Sequence, residues 1–127
     1  MDRKTLSLLS DFNIEPLSRV LSANYKESIK CEDVLFGQVY QSLFETANVD
    51  VGIVWTQPQN TISEFNAALN SEVFDIDKCL IEVEKFADAV IEYAQNVECV
   101  FVASWTRNCA ERGYGLLDWK EDFGISN

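Results

Sequence analysis

The segment Val49-Asp50-Val51-Gly52-Ile53-Val54-Trp55 decides how the rest of the chain is read. It is rich in β-branched residues and nearly unbroken in apolar character. A strand covered on both faces reads this way, whereas a strand with one wet face would alternate. Thr56-Gln57-Pro58-Gln59-Asn60 breaks it. Working outward, Cys99-Val100-Phe101-Val102-Ala103 has the same character, and Thr5-Leu6-Ser7-Leu8-Leu9 is a shorter run that leads into the turn and cap formers Ser10-Asp11-Phe12-Asn13. Ile29-Lys30-Cys31 reads as a further short strand.

Between these runs the periodicity becomes helical. A helix is expected to start near Glu15-Pro16, where proline is tolerated in the first turn, and to place Leu17, Val20 and Leu21 on one face before Ser22-Ala23-Asn24 ends it. Val39, Tyr40, Leu43 and Phe44 follow helical spacing after Gly37, and Ile62, Phe65 and Leu69 suggest another short helix. The longest signal is the recurrence of Ile76, Leu80, Val83, Ala87, Val90, Ile91 and Ala94 at intervals of three or four, with Asp75 or Asp77 as N-cap. Strands separated by helices imply right-handed crossovers. The expected class is therefore α/β, a three-layer α/β/α unit around a mostly parallel sheet.

A chain of 127 residues has room for one domain, expected to span residues 1–127. With 47% apolar and 24% charged residues it has the balance of a soluble globular protein rather than a disordered one. Its 21 acidic and 10 basic side chains give a net charge of −11, which repels phosphate backbones and anionic lipid and argues against nucleic acid and membrane as partners. No run approaches the roughly 20 apolar residues needed to cross a bilayer. Arg3 and Lys4 precede only a short apolar run closed by Ser10-Asp11, so no signal peptide is expected and the location is read as cytoplasmic. The cysteines at 31, 79, 99 and 109 form no C-x-x-C pair. They read as reduced thiols, with Cys79 and Cys99 packed in apolar stretches and no metal site.

Histidine is absent, and this limits the chemistry most. The usual base near neutral pH is missing, so Ser-His-Asp and Cys-His mechanisms within the chain are excluded. Carboxylate, lysine or borrowed chemistry remains. In open parallel sheets the ligand crevice lies at the carboxyl ends of the strands. That rule groups Ser10, Asp11 and Asn13 with Trp55 and Thr56 and with Ser104, Trp105 and Thr106. Ser10 and Asp11 are the catalytic candidates. Asp11, Asn13, Trp55, Thr56, Trp105, Thr106 and Arg112 are the substrate-binding candidates. Each has a local alternative: Asp11 or Asn13 caps a helix, the threonines bond their own turns, and the indoles pack under loops. Arg107 and Arg112 are suited to clamp a carboxylate or phosphate, or to pair with the abundant acids. Residues 60–98 carry nine acidic and two basic side chains, a local charge of −7, which reads as a solvated outer face or an acidic docking surface. No dinucleotide fingerprint, Walker sequence or G-x-S-x-G elbow occurs.

Four pieces in order, Leu9-Ser10-Asp11-Phe12-Asn13-Ile14-Glu15-Pro16-Leu17, Gly37-Gln38-Val39, Val54-Trp55-Thr56-Gln57-Pro58, and Ser104-Trp105-Thr106 with Arg112-Gly113-Tyr114-Gly115-Leu116-Leu117-Asp118, resemble the amino-terminal domain of FkbH-like proteins. The resemblance covers nearly the whole chain. It implies an SGNH-hydrolase or flavodoxin-like fold preceding a haloacid-dehalogenase-like domain. In that family the second domain carries the chemistry, phosphate removal coupled to loading a glyceryl unit onto an acyl carrier protein, and it alone would need Mg2+. Its D-x-D-x-T motif does not occur here. The resemblance implies a non-catalytic or vestigial domain that positions substrate or acyl carrier, with the downstream domain and the carrier as partners and no cofactor in this chain. Its rivals are an esterase-like hydrolase using Ser10 with a base from outside the chain, and an acidic protein-interaction module. The sequence departs from SGNH hydrolases at Ser-Asp-Phe-Asn, where Gly-Asp-Ser-Leu would stand. Phe12 thus occupies the nucleophile's place, and the late D-x-x-H block is absent. A serine without a base keeps its proton. Such a fold ordinarily continues through another helix and strand, so the chain is expected to be the incomplete amino-terminal piece of a longer protein.

Overall fold

A computed structural model describes residues 2–33, 37–45 and 48–106. The elements are, in order, β1 (Lys4–Ser10), α1 (Glu15–Tyr25), β2 (Ile29–Asp33), α2 (Val39–Phe44), β3 (Val51–Trp55), α3 (Pro58–Thr61), α4 (Ser63–Leu69), α5 (Ile76–Ala94) and β4 (Cys99–Val102). The four strands form one sheet in the order β2-β1-β3-β4, and every pairing is parallel. This is the doubly wound order in which crossovers diverge on either side of the first strand.

The described chain divides into two compact units, one comprising Met1–Thr56 with Lys85–Ser104 and the other built on Gln57–Glu84. The first unit holds the sheet. On one face Leu6 and Leu8 of β1 pack with Ile14, and Ile29, Cys31, Val51 and Ile53 from the flanking strands join Leu17 and Leu21 of α1 around them. Leu8 is fully buried at 0% exposure. A Leu side chain taken wholly out of water contributes about 2–3 kcal/mol. The opposite face carries Ser7, Leu9, Gly52 and Val54, all buried. Tyr93 of α5 lies on this face, against Gly52. The ring of Tyr40 on α2 meets Phe86 of α5 edge-on at 5.9 Å, so α2 and the carboxyl half of α5 share this side. The unit is thus the three-layer α/β/α sandwich expected from the sequence.

Tyr93 explains a glycine in the middle of a strand. A Cβ on Gly52 would lie 2.5 Å from Cε1 of the Tyr93 ring, inside any tolerable contact. Burial pushes the Tyr93 phenol above its ordinary pKa of 10.0, and the Ser7 side chain partly offsets that.

At the amino ends of the strands the chain is pinned by charge. The Lys4 ammonium donates to both carboxylate oxygens of Glu98 at 2.6 Å, and the Thr5 amide donates to the Asp50 carboxylate at 2.6 Å. The hydrogen bond to Glu98 is the main reason Lys4 is held above its ordinary pKa, ahead of the opposing effect of desolvation.

In the second unit, Pro58 opens α3. The stretch read from sequence only as a strand breaker is therefore also a helical turn, because proline suits the first helical position. The amino end of α4 has no cap from its own flanking residue. Glu82 of α5 substitutes: its carboxylate accepts from the Ser63 amide at 2.6 Å, the Ser63 hydroxyl at 2.7 Å and the Glu64 amide at 3.3 Å. A carboxylate there also meets the positive end of the helix dipole. Asp75 caps α5, accepting from the Asp77 and Lys78 amides at 2.9 and 3.2 Å.

One expectation is corrected. Cys99 is exposed rather than packed, because β4 pairs with β3 on one side and is the last strand of the described sheet. Cys79 is half-buried, and burial, followed by the nearby Glu82 and Glu64 charges, pushes its thiol upward. In α5 the buried residues are Phe86, Ala89 and Tyr93, whereas Ile76, Leu80, Ala87, Ile91 and Ala94, which mark its helical period, are exposed.

Candidate functional site

The crevice lies where β1 and β3 end side by side. Ser10 and Trp55 are register partners at the last rung of that pairing. From there β1 leads into α1, and β3 ends at the boundary of the second unit. The residues after Ser10 therefore leave the sheet beside the end of β3, and Phe12 among them reaches Trp55.

Ser10 belongs to the strand rather than to the turn after it, and is 1% exposed. Its hydroxyl accepts from the Phe12 amide at 3.2 Å, a turn that bends the chain out of the sheet. Phe12 then packs its ring edge-on against Trp55, with centroids 5.5 Å apart and planes at 89°. Such aromatic pairs contribute about 0.5–1.5 kcal/mol beyond their buried area. Asn13 accepts from the Glu15 amide at 3.0 Å, preparing the first turn of α1 in place of a side-chain cap from Ile14. Asp11 is half-buried beside them, and Thr56 is buried. Trp55 keeps 43% of its surface exposed, so its indole packs against Phe12 and still presents area to a ligand.

Ser104 follows β4, and the preceding Ala103 amide donates to the Val54 carbonyl at 3.0 Å, carrying the β3–β4 pairing one residue past the strand. Trp105 is half-buried and Thr106 exposed; both belong to the second unit. Arg107 and Arg112 lie outside the described residues. Of the seven binding candidates, Asp11, Asn13, Trp55 and Thr56 belong to the first unit, in the segments that follow β1 and end β3.

The role of Phe12 as the partner of Trp55 was hidden from the sequence. Seeing it requires the β1–β3 register, which sets position 10 opposite position 55. Position 12 then follows two residues on, beside the indole.

The chemistry open to this arrangement is narrow. The Ser10 hydroxyl is sealed from solvent and engaged with Phe12, and the chain has no imidazole to activate it. The loops 10–14 and 55–57 contain a carboxylate, two amides, hydroxyls and an indole, but no lysine or arginine. Such a lining suits hydrogen bonding and stacking against a neutral or hydroxylated ligand. Among the described residues no group of three or more Cys, Asp or Glu side chains is placed to hold a metal ion. No helix among them is long and apolar enough to cross a membrane. No family model matches the chain, and no match to it is found among curated proteins or solved structures.

Proposed function

We propose that the chain is a non-catalytic SGNH-like α/β domain of an FkbH-like biosynthetic protein, acting in the cytoplasm to position a substrate or acyl carrier for a downstream haloacid-dehalogenase-like domain. The observation that carries this reading is the state of Ser10. A nucleophile must reach its substrate and have a base, and this hydroxyl is buried and turned to the Phe12 amide in a chain without histidine. Phe12, in the place where the family's hydrolases carry serine, fills the crevice with a ring instead of a reactive oxygen.

What the crevice retains is a binding surface. Trp55 offers a half-open aromatic face, and Asp11 and Asn13 offer polar atoms along its rim. A phosphorylated ligand would draw its counter-charge from Arg107 or Arg112, since the β1 and β3 loops supply none. Phosphate removal and the Mg2+ it needs belong to the downstream domain in this reading.

Two measurements on the whole chain test it. A fluorogenic acyl ester should show no hydrolysis that Ser10→Ala abolishes. Titration with a holo acyl carrier protein should quench tryptophan fluorescence saturably, and Trp55→Ala should remove that response. Turnover that depends on Ser10 would instead establish the esterase-like rival.

A further inference from the structure

Helix α5 carries two apolar stripes, and the protein uses one. At about 100° per residue, Phe86, Ala89 and Tyr93 fall on one face, and Ile76, Leu80, Ala87 and Ile91 fall on another roughly a third of a turn away. The first face is buried against the sheet unit. On the second, Ile76, Leu80 and Ile91 are 58%, 55% and 58% exposed. Val83 and Val90, both half-buried, lie on the border between the stripes and make the exposed ridge continuous. Intervals of four and three from Ile76 through Leu80, Val83, Ala87 and Val90 to Ala94 are those of a helix-pairing seam.

The ridge has one open border, and that border is acidic. Asp77, Glu84 and Asp88 run along it, all exposed. The helix's two lysines, Lys78 and Lys85, lie on the far side of that row, and the Lys78 ammonium stands 4.0 Å from the Asp75 carboxylate. A second copy of this chain would bring the same carboxylate row, and a charge of −11, to the same seam. An acidic carrier protein would meet equal repulsion. A helix with an apolar stripe between basic residues would satisfy both the ridge and its border.

We propose that the exposed ridge of α5 docks a basic amphipathic helix of a partner protein, with its leucine or isoleucine stripe on Ile76, Leu80 and Ile91 and its lysines or arginines against Asp77, Glu84 and Asp88. This surface is separate from the β1–β3 crevice, and neither reading depends on the other.

The test uses the full chain and two fluorescent three-heptad helical peptides, identical except that flanking positions are all Lys in one and all Glu in the other. Anisotropy should show the Lys peptide binding and the Glu peptide binding at least about tenfold more weakly, with affinity for the Lys peptide falling as salt rises. The double variant Leu80→Asp/Ile91→Asp should weaken the Lys peptide by about tenfold or more while leaving the thermal melt unchanged, since both side chains are exposed. If that variant melts early, Glu84→Lys/Asp88→Lys decides instead, because it should reverse the preference between the peptides. Equal binding of the two peptides, or binding indifferent to both double variants, overturns the proposal. So does a chain that is dimeric by sedimentation and made monomeric by Leu80→Asp, because the ridge is then filled by a second copy.

Discussion

Gly52 and Tyr93 show how one missing methyl group shapes the central layer. The ring lies where a Cβ would stand, and Tyr93 is itself buried, so it cannot swing aside freely. Gly52→Ala is expected to destabilise the protein by about 1–3 kcal/mol, as overpacking does in a filled core. Chemical denaturation would show this as a lower midpoint, and Tyr93→Leu in the same background should recover part of the loss. An unchanged midpoint for Gly52→Ala would mean that the ring yields without cost. At this scale the sequence was legible only in part. That Asn13 caps a helix was a stated alternative; the structure has its side chain accept from the Glu15 amide at the start of α1, with Ile14 in the cap position itself. The clash beneath Tyr93 was not legible, because strand and helix residues 41 positions apart meet only once the sheet face has been chosen.

Helix α5 separates two kinds of information that a hydrophobic pattern carries. Its extent, Ile76–Ala94, matches the stretch over which the apolar period runs. Its orientation does not follow, because a helix with two apolar stripes fixes a period but leaves the phase open. The stripe with more members is the exposed one, and packing instead selects Phe86 and Tyr93, whose rings reach α2 and the sheet. Phe86→Ala is therefore expected to cost about 3–5 kcal/mol. Leu80→Ala should shift stability by less than about 0.5 kcal/mol, as substitutions on the surface do. Urea midpoints of the two variants would measure the contrast, and comparable losses would mean that Leu80 lies in a core. Helix α3 was missed for another reason: Pro58 ends one element and starts the next within three residues of Trp55.

For the whole molecule, the parallel sense of the sheet followed from strand runs separated by helical crossovers, whereas the order β2-β1-β3-β4 is seen only in the structure, because the runs do not say on which side of β1 each crossover lands. The charge is the other global property. A net −11 spread over 127 residues opposes compaction by self-repulsion, while the ion pairs Lys4–Glu98, Arg19–Glu15 and Lys30–Glu32 are all exposed. Exposed pairs contribute little, so screening should relieve more repulsion than attraction. Raising sodium chloride from about 0.02 to 0.5 M should raise the melting temperature by a few degrees. A fall would mean that those pairs outweigh the excess of acids.

Strand β1 lies between β2 and β3 in the sheet, yet it is the first of the three to leave the ribosome. Its β2 edge finds a partner within one helical crossover, but its β3 edge pairs with residues about 45 positions further on, as Leu6 does with Val51. At roughly 5–20 residues per second of synthesis, the roughly 20 residues between the two partners of Leu6 leave the nascent chain for about 1–4 seconds with β1 matched along one edge and open along the other.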